Sequence, residues 1–199
     1  LDGTKQADLL YPLVSLQRRV RIRAVVQREP KGLGHAILCA RKAVGGEPFA
    51  VLLPDEIFDG EASPTEELLE VAASNPGAAL AAVVRVPRAE TRRYGIVDAK
   101  RQGEVYKVRR AVEKPEPAKA PSTLALVGRY VLPPDVFGLL AASRPSGGRE
   151  LHLTTALDAL ARQGRFFVLP TQCRRFDTGN PKGWLTANLH FGRRILGEA

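Results

Sequence analysis

The stretch Gln27-Arg-Glu-Pro-Lys-Gly-Leu-Gly-His-Ala-Ile-Leu-Cys-Ala40 decides how the chain is read. Before it, Val20, Ile22, Ala24 and Val26 recur at every second position, the first three separated by Arg21 and Arg23, the period of a half-buried strand. Pro30, Gly32 and Gly34 interrupt that alternation. Beyond them Leu33, Ala36, Ile37, Ala40 and Val44 recur at helical spacing. The unit is strand, glycine loop, helix, and its loop exposes backbone N–H groups to a polar ligand. A second apolar run, Phe49 to Leu53, ends on Pro54-Asp55. Two strand ends, one with a glycine loop and one with a carboxylate, place a nucleotide or phosphate site at the edge of an α/β sheet.

Working outward, Ser63-Pro64-Thr65-Glu66 is a helix start with a capping residue, a proline in the first turn and a reciprocal carboxylate. Residues 78–86 are almost wholly apolar and read as a central strand. Residues 94–98 and 104–112 read as two strands joined at Arg101-Gln102-Gly103, and 124–132 as another. Helices follow at 135–142 and around Leu153, Ala156, Leu157 and Leu160, with Gly164 just past the latter's end. Short strands at 165–169 and 173–177 precede a last helix carrying Trp184 to Ile195. Residues 4–18 suggest a short helix interrupted by Pro12. Helices and strands mixed throughout 199 residues argue one α/β domain with a mixed sheet.

Composition narrows the classes of function. With 44% hydrophobic and 26% charged residues the chain is of globular type. No apolar run approaches the ~18 residues of a membrane span, so no membrane partner is expected. No secretory leader stands at the N-terminus, and Cys39 and Cys173 form no metal motif, reading as reduced, cytoplasmic packing thiols. The net charge of +9 attracts polyanions, but its arginine pairs are dispersed and no basic run carries aromatics, which points to a phosphate-rich substrate rather than nucleic acid.

Asp55, the Glu113-Lys114 pair and Asp177 each stand at a strand end beside a turn former. Magnesium takes oxygen ligands, commonly one or two carboxylates plus substrate phosphates, and Asp55 and Asp177 suit that role if the fold brings them together. Taken alone, each reads first as a turn or cap residue. Lys114 reads as a phosphate-contacting point charge or as a solvated surface lysine. His35, in the first turn of a helix, reads as a hydrogen-bonded structural histidine.

Six segments stand in order: Gln27 to Ala40, Phe49 to Asp55, Tyr94-Gly-Ile-Val97, Val112-Glu-Lys-Pro115, Val127 to Leu132 and Phe176-Asp-Thr-Gly179. Together they closely resemble the bacterial UTP–glucose-1-phosphate uridylyltransferases (UDP-glucose pyrophosphorylases), a family of sugar nucleotidyltransferases. The resemblance implies a Rossmann-like mixed β-sheet flanked by helices. It implies an enzyme joining UTP and glucose 1-phosphate into UDP-glucose and pyrophosphate with Mg2+. Carried over by motif, Gln27 and Gly32 contact the uracil, and Asp55 and Asp177 hold the magnesium. Gly95 and Glu113 meet the glucose ring, Lys114 the sugar phosphate, and Gly179 lines the sugar side; Lys114 and Asp55 are the catalytic pair. A homo-oligomer is compatible with it. The family's wording at Gln27 favours the uridylyl over the thymidylyl and cytidylyl enzymes of the same fold; a non-catalytic sugar-nucleotide-binding relative is the other alternative. Two departures stand out. The family's first strand and glycine-rich phosphate loop have no counterpart in residues 1–19, where Gly3-Thr4-Lys5 does not match, and the chain contains no Met. The expectation is therefore a single nucleotidyltransferase domain truncated at the N-terminus, with little activity of its own because the charges on the pyrophosphate side are missing. Position 155 holds Thr where the family usually has Asp.

Overall fold

A computed structural model describes residues 15–16, 18–143 and 150–197. The expected helix at 4–18 falls almost wholly outside the described residues, as does most of the loop at 143–148. Eight strands are described: β1 Phe49–Leu52, β2 Glu56–Asp59, β3 Ala79–Arg85, β4 Gly95–Gln102, β5 Val105–Glu113, β6 Leu124–Leu132, β7 Phe166–Pro170 and β8 Arg174–Asp177. Between residues 33 and 196 six α-helices accompany them, α1 Leu33–Cys39, α2 Arg41–Val44, α3 Pro64–Ser74, α4 Val136–Ala142, α5 Leu153–Arg162 and α6 Pro181–Leu196, with 3₁₀ turns at Arg88–Arg93 and Pro117–Lys119.

Six strands form one sheet in the order β1-β6-β3-β7-β5-β4. Only β3 and β7 run parallel, so the sheet is mixed, as the alternation of helices and strands implied. The most apolar segments take its middle. β3 and β6 are buried along nearly their whole length, because helices cover both faces there. On one face Leu68 of α3 packs with Leu80, Val127 and Val131. On the other, Ile37 of α1, Phe137 and Leu140 of α4, and Leu157 and Leu160 of α5 pack with Leu126, Leu132 and Phe166. Ser63 caps α3 with the expected reciprocal pair, accepting from Thr65 N while Glu66 accepts from Ser63 N.

The structure corrects the sequence reading at several points. Residues 21–27, within the expected strand, form no regular element and belong to no ladder among the described residues, and Ile22 and Val26 are 74% and 75% exposed. Alternation marks extended chain; a strand also needs a neighbour to receive its N–H and C=O groups. The helix over 33–44 tightens at Ala40, whose N–H donates to Ile37 O three residues back, dividing it into α1 and α2. The apolar run from Phe49 to Leu53 suggests a buried strand, but the residues of β1 alternate in exposure, as suits the edge of the sheet. β2 was not expected from the sequence. It pairs with β8 as a separate two-stranded ribbon in the register Glu56↔Asp177 and Phe58↔Arg175.

Candidate active site

Asp55 immediately precedes β2 and Asp177 ends β8, so the ribbon's register sets them side by side. Thr178 N–H and Oγ1 both donate to Asp55 O, at 2.7 and 2.9 Å, and Gly179 N–H donates to Asp177 Oδ1 at 3.1 Å. Both carboxylates face Gly179. A methyl group there would lie 2.8 Å from Asp55 Oδ2 and 3.3 Å from Asp177 Oδ1. The turn after β8 thus requires a residue without a side chain to let the two acids converge.

A buried ion pair anchors this ribbon. Arg175 Nε and Nη2 donate to the two oxygens of Glu56, each at 2.5 Å, with the side chains only 12% and 10% exposed. Arg175 also stacks over the Tyr94 ring, tying the ribbon to the entry of β4. Burial pushes the Glu56 carboxyl above its usual range, against the pull of Arg175. Burial alone would lower the guanidinium, but the hydrogen bonds to Glu56 and Tyr94 outweigh it and raise it. Arg129 closes the underside, donating to the carbonyls of Leu53, Gly128 and Glu56 and stacking on Phe58.

Opposite the acids, the β4–β5 ladder pairs Gly95 with Glu113. Glu113 accepts from Thr154 Oγ1 at 2.5 Å, and Thr154 opens α5. A methyl on Gly95 would meet Leu126 and Thr154 at 3.0 Å and lie 3.5 Å from Glu113 Oε2, so the glycine keeps the floor of this side open. Lys114 follows with φ 42°, a left-handed conformation unusual outside glycine and locally strained. Its N–H donates to Tyr94 O at 3.0 Å, and its side chain is 55% exposed, with Nζ 3.8 Å from Glu113 Oε1.

These two sides enclose one cavity of about 320 Å³, lined by Asp55, Asp177, Gly95, Glu113, Lys114 and Tyr130 among others. A larger depression, about 660 Å³, runs along α6 past Arg174, His190 and Arg194, away from every one of these groups. Burial raises the Tyr130 hydroxyl, and the Glu113 charge adds to it, so the phenol stays neutral. Gln27 and Gly32 do not line the cavity. They stand at the start of α1, whose first residue, Leu33, does. Gly32, at φ 89°, and Gly34 press against Leu151, where a side chain on either would come within 3 Å of the Leu151 carbonyl.

A divalent cation suits this donor set. Two convergent carboxylates leave the remaining positions to water and phosphate, the arrangement magnesium favours. No group of three or more His, Cys, Asp or Glu that could hold a metal ion by itself exists among the described residues. A cation already stands there in kind: Arg93 donates to Asp177 Oδ2 at 2.9 Å.

The family model described as Nucleotidyl transferase matches residues 4–193. The chain belongs to the nucleotidyl transferase family. It is 38% identical over 192 residues to the UTP–glucose-1-phosphate uridylyltransferase of Bacillus subtilis (strain 168), covering 96% of this chain and 65% of that protein. The chain therefore spans about two thirds of that relative's length. A crystal structure of UDP-glucose pyrophosphorylase complexed with UDP-glucose superposes with a TM-score of 0.90 at 29% identity, over 96% of this chain and 73% of that one. A UTP-bound enzyme of the same kind from Acinetobacter baumannii gives a TM-score of 0.83 at 36% identity, over 98% and 68%. The mixed α/β nucleotidyl transferase fold read from the sequence is the fold observed.

Sequence reasoning missed several residues of the site. Arg93, Tyr130, His152 and Thr154 line the cavity, and Glu56 and Arg175 stand behind its acids. The Thr at position 155 has no place in the cavity. It is exposed on α5, and Thr154 is the one that turns to Glu113. Both cysteines are free thiols, as expected, although Cys39 lies against His35 rather than in the core. No helix among the described residues is long and apolar enough to cross a membrane.

Proposed function

We propose that this site performs uridylyl transfer: the phosphate of glucose 1-phosphate attacks the α-phosphorus of UTP, giving UDP-glucose and pyrophosphate. The observation that carries the reading is the convergence of Asp55 and Asp177 on one point, across a single cavity from Glu113 and Lys114. The similarity to the Bacillus subtilis enzyme supports the choice of nucleotide and sugar.

In-line transfer between two anions asks the protein mainly for positioning and charge neutralisation. Asp55 and Asp177 would hold Mg2+, which when bound neutralises charge on the α-phosphate. Lys114 brings its ammonium to the sugar phosphate as a point charge on a strained, well-fixed backbone. Glu113, aligned by the Thr154 hydroxyl, accepts from sugar hydroxyls over the floor left open by Gly95. Gln27 and the backbone at Gly32 meet the uracil, and Gly179 borders the sugar side. No general base is required, since the attacking phosphate is already ionised.

Calorimetric titration of the chain with UDP-glucose tests this reading. Saturable one-to-one binding is expected, strengthened by Mg2+ in the parent but not in Asp55→Asn, and weakened about tenfold in Lys114→Ala, the loss of one charged hydrogen bond. Absence of saturable binding, or identical binding by all three proteins, would remove the proposal.

A further inference from the structure

The Gln27 side chain is held by two contacts that fix its sense. Its Nε2 lies 3.1 Å from Gly32 O and 2.9 Å from His35 Nδ1. A carbonyl oxygen only accepts, so the end of the amide facing Gly32 is the amino end. One hydrogen of that group goes to Gly32 O. The other goes to His35 Nδ1, which must accept it, and the ring proton therefore sits on Nε2. Cys39 Sγ packs against the ring, 3.8 Å from Nε2 and 4.0 Å from Nδ1. Both Gln27 hydrogens are thereby used, and among the described residues its Oε1 has no hydrogen-bond partner. Its acceptor, not its donor, is left for a ligand. His35 is itself fixed, since Gly34 N–H donates to Leu151 O at 2.8 Å and Leu151 N–H donates to Lys31 O at 2.7 Å.

We propose that His35 is a specificity-determining positioning residue: by accepting from Gln27 it locks the amide with its oxygen toward the nucleobase. This rests on the reading that Gln27 meets the base. A locked acceptor matches the N3–H of uracil and opposes the N3 lone pair of cytosine. Without His35 only the Gly32 carbonyl still holds the amide, so turning it over to present its amino group to cytosine costs one hydrogen bond less. His35 thus adds a second hold to the one from Gly32 and sharpens a one-sided reader, with no contact of its own to the ligand.

The test is a set of titrations with UDP-glucose and CDP-glucose on the parent chain, His35→Phe, His35→Ala, Gln27→Ala and the Gln27→Ala/His35→Phe double variant. Phenylalanine keeps the ring and its packing and removes the acceptor, so it remains informative where alanine unfolds the chain. The parent should favour UDP-glucose, and His35→Phe should cut the preference by roughly three- to tenfold, the worth of one hydrogen bond. On the Gln27→Ala background His35→Phe should change the ratio no further. An unchanged ratio in His35→Phe, or an equal loss for both ligands, overturns the inference while leaving the uridine site standing. A parent chain with no preference overturns the reading of Gln27 and the inference with it.

Discussion

Replacing Arg175 with methionine removes a charge but keeps the apolar stem, and so isolates the ion pair behind the two acids. The Glu56 and Arg175 side chains are about one tenth exposed and bonded through both oxygens. Solvent screening is small at that depth. Breaking a buried pair from one side leaves the partner's charge uncompensated, at a cost of about 3–5 kcal/mol. In a chain of this length each kcal/mol moves the melting temperature by about 2–4 °C, so Arg175→Met should lower it by roughly 6–20 °C. The Glu56→Leu/Arg175→Met double variant should recover most of the loss, because no charge is then buried. The pH dependence has a definite sign. Glu56 is already raised by burial, and loss of Arg175 raises it further. A raised carboxyl favours the folded state while protonated and loses that contribution as pH climbs through its folded value. The gap between Arg175→Met and the parent should therefore narrow on acidification. Thermal melts by circular dichroism from pH 5 to 8 read all three quantities. A loss below about 1 kcal/mol, or a double variant as unstable as the single one, would refute the assignment of the pair as the ribbon's anchor.

Three further outcomes are expected. Gly95→Ala places a methyl 3.0 Å from Leu126 and Thr154, and should weaken UDP-glucose binding about tenfold in titration with the melting temperature little changed. Arg93→Ala frees Asp177 Oδ2 from a half-exposed guanidinium, and should tighten Mn2+ binding roughly two- to fivefold by electron paramagnetic resonance, the worth of a surface pair. Asp59 accepts from His190 at 2.7 Å and Arg194 at 2.8 Å, which anchors α6 to β2 and lowers the Asp59 carboxyl, His190 contributing most. A lowered carboxyl stabilises above its unfolded value and loses that as pH falls through its folded one. Fluorescence of Trp184, the sole tryptophan, should therefore report loosening of α6 below about pH 3.8, and Asp59→Asn should show it already at neutral pH.

Much of the sheet was legible because its central strands are apolar on both faces. β3 and β6 announce themselves by composition, and α3 by a cap whose atoms bond as its sequence pattern implies. The ribbon was not legible. β2 is four residues long and half charged, and its strand character comes from pairing with β8, more than a hundred residues away. Residues 21–27 fail in the opposite sense, since their alternation is clear but a ladder depends on a neighbour. Asp55 and Asp177 were each readable as turn residues, and only the ribbon's register brings them together. Arg175 and Glu56 lacked any local signal, because an ion pair between distant segments leaves no periodic trace. His35 read correctly as hydrogen-bonded, but its partner, eight residues earlier, depends on the sharp turn at Gly32.

The central claim is that Asp55 and Asp177 together hold a divalent cation beside the sugar phosphate. Paramagnetic broadening by Mn2+ of amide resonances in the 15N-labelled chain, with UDP-glucose present, tests it most directly. Broadening should centre on residues 55 and 177–179, reach Glu113 and Lys114 across the cavity, and be absent from the Asp55→Asn/Asp177→Asn variant. Broadening centred elsewhere, such as around Asp59 and His190, or persisting in that variant, would contradict it.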